Sequence, residues 1–330
     1  MGVHCRTSIQ WPEGSVVHNL FIHGLDSSTI LFVFISGFLF QYINAEKFEY
    51  TSYLSKKIKY VMIPYVLVSI PALLDKLFLE TNAYWMNDFY KSLYAPLKIV
   101  FMLVTGKHSG PFYFIPMISI IFFIAPFLYK IQKSNYFSVI TLIVVGSGLF
   151  TYAYGYYGSI GESLLYFLPV YIFGMWVSKN REQILFMSNY FFIGLLCSYL
   201  IIFYLEMTNA IFVEHLSFFQ PTHHYFTAHF NWSKLKEMML AIILLTVFFK
   251  LRNRDLSHLA LLGSYSFGIY FVHIYFINLT EYLIRYFKIS SVQNGLGFLM
   301  FTAITVGISA ITVYAVKKIF RDRSRLLIGS

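Results

Sequence analysis

A histidine at the margin of an apolar segment can exchange a proton near neutrality, or carry an acyl group for the length of one step. Four of the chain's ten histidines stand in such places: His4, His18 and His23 ahead of the first long apolar stretch, with Asp26 close behind, and His273 inside a later one. An ionisable side chain at membrane depth is costly and is a functional candidate by default. Two other groupings join them. Ser36-Gly37 interrupts the run from Leu31 to Phe40, and Lys56, Lys57 and Lys59 follow it, where ammonium groups would hold phosphates as point charges.

Each candidate has a plainer reading. The three lysines also serve as a topology signal. Ser36-Gly37 is a small-residue packing point between helices, because no spacing brings a base beside Ser36. His18 and His23 read as solvated histidines of an outer loop, with His23 and Asp26 the second choice of base. His273 is expected to hydrogen-bond within the bundle, and Tyr113 and Pro116 to begin a helix. Cys5 and Cys197 fit no Cys-x-x-Cys or Cys/His spacing and are expected to be free thiols. The isolated pair His223-His224 makes no metal site. Phosphate-cradle and His-Glu-x-x-His patterns are missing, which argues against a nucleotide-driven pump and a zinc hydrolase.

The elements that must position these groups are read from composition. Of 330 residues, 58% are hydrophobic, 20% aromatic and only 12% charged, against about a quarter charged in a soluble domain. The chain is an all-α, polytopic transmembrane helix bundle, with one membrane domain filling 1–330. A bilayer core needs about 20 apolar residues per helix. Charged positions divide the chain into nine such spans, at 27–45, 60–79, 111–131, 136–154, 164–178, 184–205, 235–250, 257–281 and 293–316. A tenth piece, 95–105, is too short to cross and reads as interfacial or re-entrant.

The net charge of +10 falls between the spans and not on one polar face, which sets nucleic acid aside. If the loop after the first span is cytoplasmic, that side collects 16 of the 25 lysines and arginines. The C-terminus is then inside and residue 1 outside. Residues 1–20 lack the basic start and apolar run of a signal peptide, so none is expected. An odd number of spans with an external start leads to the expectation of a further helix upstream of Met1. The outer segments 80–110 and 207–233 are rich in aromatics, among them Tyr84, Trp85, Tyr90, Phe218, Phe219, Tyr225, Phe226, Phe230 and Trp232, with His215, His223, His224 and His229. They read as an interfacial belt or as a platform for sugar rings.

Five pieces in order carry a family likeness. Phe32-Val33-Phe34-Ile35-Ser36-Gly37-Phe38-Leu39 resembles the Ser-Gly helix of the integral-membrane acyltransferase 3 family, and Lys57 to Tyr65 resembles its basic motif running into Ile-Pro-Tyr. Gly106 with Phe112-Tyr113-Phe114-Ile115-Pro116, Tyr166-Phe167-Leu168-Pro169 with Phe173-Gly174, and Ser264-Tyr265-Ser266-Phe267-Gly268-Ile269-Tyr270-Phe271-Val272-His273 are similar to its later helices. Where the family has Arg-x-x-Arg, this chain has Lys57 and Tyr60.

The resemblance implies ten membrane helices and O-acylation of cell-surface polysaccharides, closest to the subgroup acting on adhesion polysaccharides. It implies His4 as the catalytic residue. It also implies Lys56, Lys57, Lys59, Ser36, Tyr113 and His273 as substrate-binding candidates, and no metal. The donor would be cytoplasmic acyl-coenzyme A, acetyl-coenzyme A first, with no resident cofactor. The acceptor would be a polysaccharide or lipid-linked glycan, in the plasma membrane and beside polysaccharide synthase partners. Either His4 accepts the proton of a sugar hydroxyl, or it briefly carries the acyl group. The competing class is a polysaccharide exporter or flippase, which would have no need of His4; the internal symmetry common in transporters is not visible.

Overall fold

The computed structural model describes residues 2–6, 11, 15–25, 28–83, 85–152, 159–211, 229–286 and 295–330. Asp26, Tyr84, His215, Phe218, Phe219, His223, His224, Tyr225 and Phe226 lie outside them. In chain order the helices are α1 (Gly2–Arg6), α2 (Val16–Leu25), α3 (Ser28–Asn44), α4 (Tyr50–Lys57), α5 (Ile63–Leu74), α6 (Asp88–Ser92), α7 (Ala95–Thr105), α8 (Phe114–Phe123) and α9 (Ala125–Lys133). There follow α10 (Phe137–Gly148), α11 (Ile160–Lys179), α12 (Arg181–Leu185), α13 (Asn189–Met207), α14 (Trp232–Lys250), α15 (Ser257–Tyr286), α16 (Gly295–Phe320) and α17 (Ser324–Ile328). No strand occurs among the described residues, and the protein is an all-α multi-pass membrane protein.

Among the described residues six helical runs are long and apolar enough to cross a bilayer, and a seventh if the pair Gly110–Phe123 and Ala125–Lys133, bent by 56°, counts as one span. Each of the nine spans read from the sequence contains a helix. The smaller number has two causes. α10 has 12 residues, short of the length required, and α14 carries Lys234, Lys236 and Glu237 in its first turns. The bend between α8 and α9 sits at Pro126, near the start of α9, which has no N–H to continue the ladder. Lys57 runs into α5 through the π-helical turn Ile58–Met62, so the basic cluster and the second span form one continuous helical run.

The centre of the bundle is the crossing of α3 and α11. A Cβ on Gly37 would collide with the Tyr171 carbonyl oxygen, and one on Gly174 with that of Phe34, so each glycine lets the other helix's backbone approach. Val33, Phe34, Phe40, Val170, Tyr171 and Met175 are buried around this crossing. α11 begins with a reciprocal cap: the Ser159 hydroxyl accepts from the Glu162 N–H at 3.2 Å, and the Glu162 carboxylate accepts from the Ser159 N–H at 2.7 Å. Gln41 donates to Gln132 at 3.1 Å, which links α3 to α9.

Candidate functional site

α15 and α16 pack against each other, and the short α1 sits against both. That placement brings His4 to His273, with ring centroids 5.5 Å apart. Cys5, beside His4, is buried with Ile277 and Phe298 and anchors α1; burial pushes its thiol up, so it is the less reactive protonated form. His273 is 2% exposed. Its Nδ1 lies 2.7 Å from the Tyr270 carbonyl oxygen and 3.2 Å from that of Ile269. Carbonyl oxygens only accept, so Nδ1 carries the proton and Nε2 presents a lone pair. Nε2 is buried and has no hydrogen-bond partner among the described residues. An imidazole with one nitrogen tied to the backbone and the other waiting for a donor has the arrangement a general base requires.

Tyrosines fix α15 around this point. Tyr270 donates to the Pro111 carbonyl at 2.6 Å, and Tyr275 donates to that of Val68. Tyr113 is tied into the same region: its backbone closes on Gly106, the left-handed residue with φ 70° that ends α7.

The basic residues lie elsewhere. Lys56 and Lys59 are exposed and Lys57 half-buried. The Lys57 ammonium is 4.8 Å from the Phe122 ring centroid and 5.4 Å from that of Tyr53, and Lys59 is 5.3 Å from Tyr60. None of the three has a carboxylate within 4 Å among the described residues. Ser36 donates to the Phe32 carbonyl at 2.8 Å, one turn back in α3, and no histidine meets it. The structure therefore joins His4 to His273, sets Tyr113 against Gly106, and leaves the lysines at one end of the bundle and Ser36 on α3.

Two polar groupings escaped the sequence reading. His23 is not a solvated loop residue: it belongs to α2, is 5% exposed, and its Nδ1 lies 3.9 Å from Glu206. Lys236, at the edge of the span read as 235–250, is buried in the second turn of α14, where it pairs with Glu206 and donates to the His23 carbonyl. Ser233 donates to the other Glu206 oxygen at 2.6 Å. Lys234 is also buried, donating to the Gly148 carbonyl at 2.7 Å and the Thr151 hydroxyl at 3.0 Å. His18 stacks on Trp11 with centroids 4.8 Å apart. The available signal was charge at the facing ends of two consecutive apolar segments, Glu206 on one and Lys236 with Glu237 on the next.

The second grouping is Ser69 with His108, 39 residues apart in sequence. His108 donates from Nδ1 to the Met102 carbonyl at 2.9 Å and accepts at Nε2 from the Ser69 hydroxyl at 2.8 Å. Both residues are buried, Ser69 0% exposed and His108 2%, and both ring nitrogens of His108 are already engaged within the protein. The pairing fastens the loop after α7 to α5. No spacing rule links the two positions, so nothing in the sequence pointed to it.

Among the described residues no group of three His, Cys, Asp or Glu side chains is placed to hold a metal ion. A bundle of membrane-spanning helices, with His4 in ring contact with a buried His273 whose tautomer the backbone fixes, defines an integral-membrane protein. A family model for the acyltransferase domain of the acyltransferase 3 type matches residues 28–314, so the chain belongs to that family and is a membrane acyltransferase. The match includes α3 to most of α16 and His273; His4 precedes it. No curated protein and no solved structure matches the chain.

Proposed function

We propose that the protein moves an acetyl or other short acyl group from cytoplasmic acyl-coenzyme A to a hydroxyl of a cell-surface or lipid-linked polysaccharide. It would work in the plasma membrane with its C-terminus on the cytoplasmic side. The observation that carries this reading is the His4–His273 pair, set in a chain whose residues 28–314 form an acyltransferase domain.

His273 Nε2 takes the proton of the acceptor hydroxyl as its oxygen attacks the thioester carbonyl. The new carbon–oxygen bond forms, the carbon–sulfur bond breaks, and the coenzyme thiolate leaves with the proton returned from the imidazolium. His4, across the ring contact, positions the acceptor or stabilises the imidazolium. Lys56, Lys57 and Lys59 supply positive charge toward the donor's phosphates.

The test is transfer of labelled acetyl from acetyl-coenzyme A to glycan in membranes carrying the wild type, His4→Ala or His273→Ala. Loss of label in both variants, at equal protein in the membrane, supports the reading. Full transfer by either variant removes that histidine from the chemistry.

A further inference from the structure

The end of the bundle that carries Lys57 and Lys59 also holds a concave basic surface that no step above uses. α17 turns back after α16 and packs on α5, on the π-helical turn before it, and on α15. Between α15, the end of α16 and α17 is a pocket of about 550 Å3 bordered by Ser264, Lys317, Arg321, Asp322, Arg325 and Ser330. Three cations face one side-chain carboxylate there.

None of the three cations has a carboxylate within 4 Å among the described residues. Aromatic rings hold two of them instead: the Lys317 ammonium lies 4.6 Å from the Tyr265 centroid, and the Arg325 guanidinium 4.5 Å from that of Tyr60. Arg321 turns the chain with φ 47°, a left-handed conformation that non-glycine residues keep where the surroundings enforce it. Three cations against one side-chain carboxylate leave an excess of positive charge in a pocket of ligand size, which suits an anion. Guanidinium forks match phosphate oxygens in pairs.

We propose that this pocket binds a phosphorylated nucleotide, the adenosine end of the coenzyme A donor. The proposal rests on the donor reading above. Position along the bundle agrees with it. Ser264 and His273 are nine residues apart on α15, about 14 Å at the helical rise, which is the order of length of an extended pantetheine arm. A nucleotide seated between Arg321 and Arg325 would thus deliver its thioester at the level of the histidine pair.

An anionic lipid headgroup offers the same chemistry, so the test separates the two. The full chain is placed in nanodiscs of phosphatidylcholine, and binding of coenzyme A and of dephospho-coenzyme A is measured by calorimetry. Arg321→Gln with Arg325→Gln is expected to weaken coenzyme A at least tenfold and to abolish the preference over the dephospho form. Arg254→Gln, an exposed charge in the loop before α15, is expected to change binding by less than twofold. Because Arg325 also packs on Tyr60, the exposed Arg321→Gln alone is included, with a loss of threefold or more expected. Equal coenzyme A binding by wild type and double variant would overturn the pocket assignment and leave the acyltransferase reading standing. Retention of phosphatidylglycerol by the pocket, with coenzyme A binding unaffected by the arginines, would make it a lipid site and overturn the assignment too. Failure of the wild type to bind coenzyme A at all would remove both the pocket and the donor.

Discussion

His273 differs from an ordinary buried histidine in having only one of its nitrogens satisfied. Its Nδ1 is held by the Tyr270 carbonyl, while Nε2 is buried without a hydrogen-bond partner among the described residues. Leaving a buried acceptor unmatched costs stability, and at an active site the acceptor hydroxyl would supply the missing bond. His273→Ala is therefore expected to lower acyl transfer by about 10²–10⁴-fold, the usual share of general acid–base catalysis. It should leave the thermal midpoint unchanged or raised. A large loss of stability with activity intact would show the residue to be structural. The buried ion pair gives the opposite expectation: Glu206→Gln removes the nearer of the two carboxylates beside Lys236, Glu237 staying at 3.8 Å, at a cost of up to about 3–5 kcal/mol. Adding Lys236→Met should recover most of that, read as the thermal midpoint in detergent.

At the scale of elements, the α3–α11 crossing depends on two hydrogen atoms. Gly37→Ala or Gly174→Ala forces a methyl group against a backbone carbonyl, expected to cost about 1–3 kcal/mol or to prevent assembly. Gly194→Ala meets nothing within 4 Å and serves as the silent control. The yield of monodisperse protein distinguishes them. The Ser69–His108 fastening predicts a pH dependence. Burial first, with the Lys76 charge adding to it and the Met102 carbonyl opposing, lowers His108 to about 4 from an unfolded value of 6.5. A lowered histidine contributes stability that is complete above pH 6.5 and is lost as pH falls toward 4. The thermal midpoint should decline through that window, and His108→Asn should flatten the decline.

Across the whole molecule, sequence and structure agree where physics is local or repetitive. Apolar runs between charges marked the helices, because the bilayer fixes their length and excludes charge. The Ser-Gly step marked a packing point, and Gly37 proved to be one. What the sequence could not show was distance across the fold. His4 and His273 are 269 positions apart, yet in ring contact, and no periodicity connects a five-residue helix to the middle of α15. Charge at the edge of an apolar segment ordinarily faces water, which hides the burial of Lys234 and Lys236 from a reading of the sequence. Here Glu206, Thr151 and two carbonyls replace the water. The missed residues are those whose burial depends on partners from distant elements.

The central claim is that the two histidines act together in acyl transfer. The most direct measurement is the rate of labelled-acetyl transfer from acetyl-coenzyme A in membranes bearing wild type, His4→Ala, His273→Ala or both. The account predicts that each single variant loses most of the activity and the double variant little more, since groups working as a unit are not additive. Transfer persisting in the double variant, at equal protein in the membrane, would contradict it.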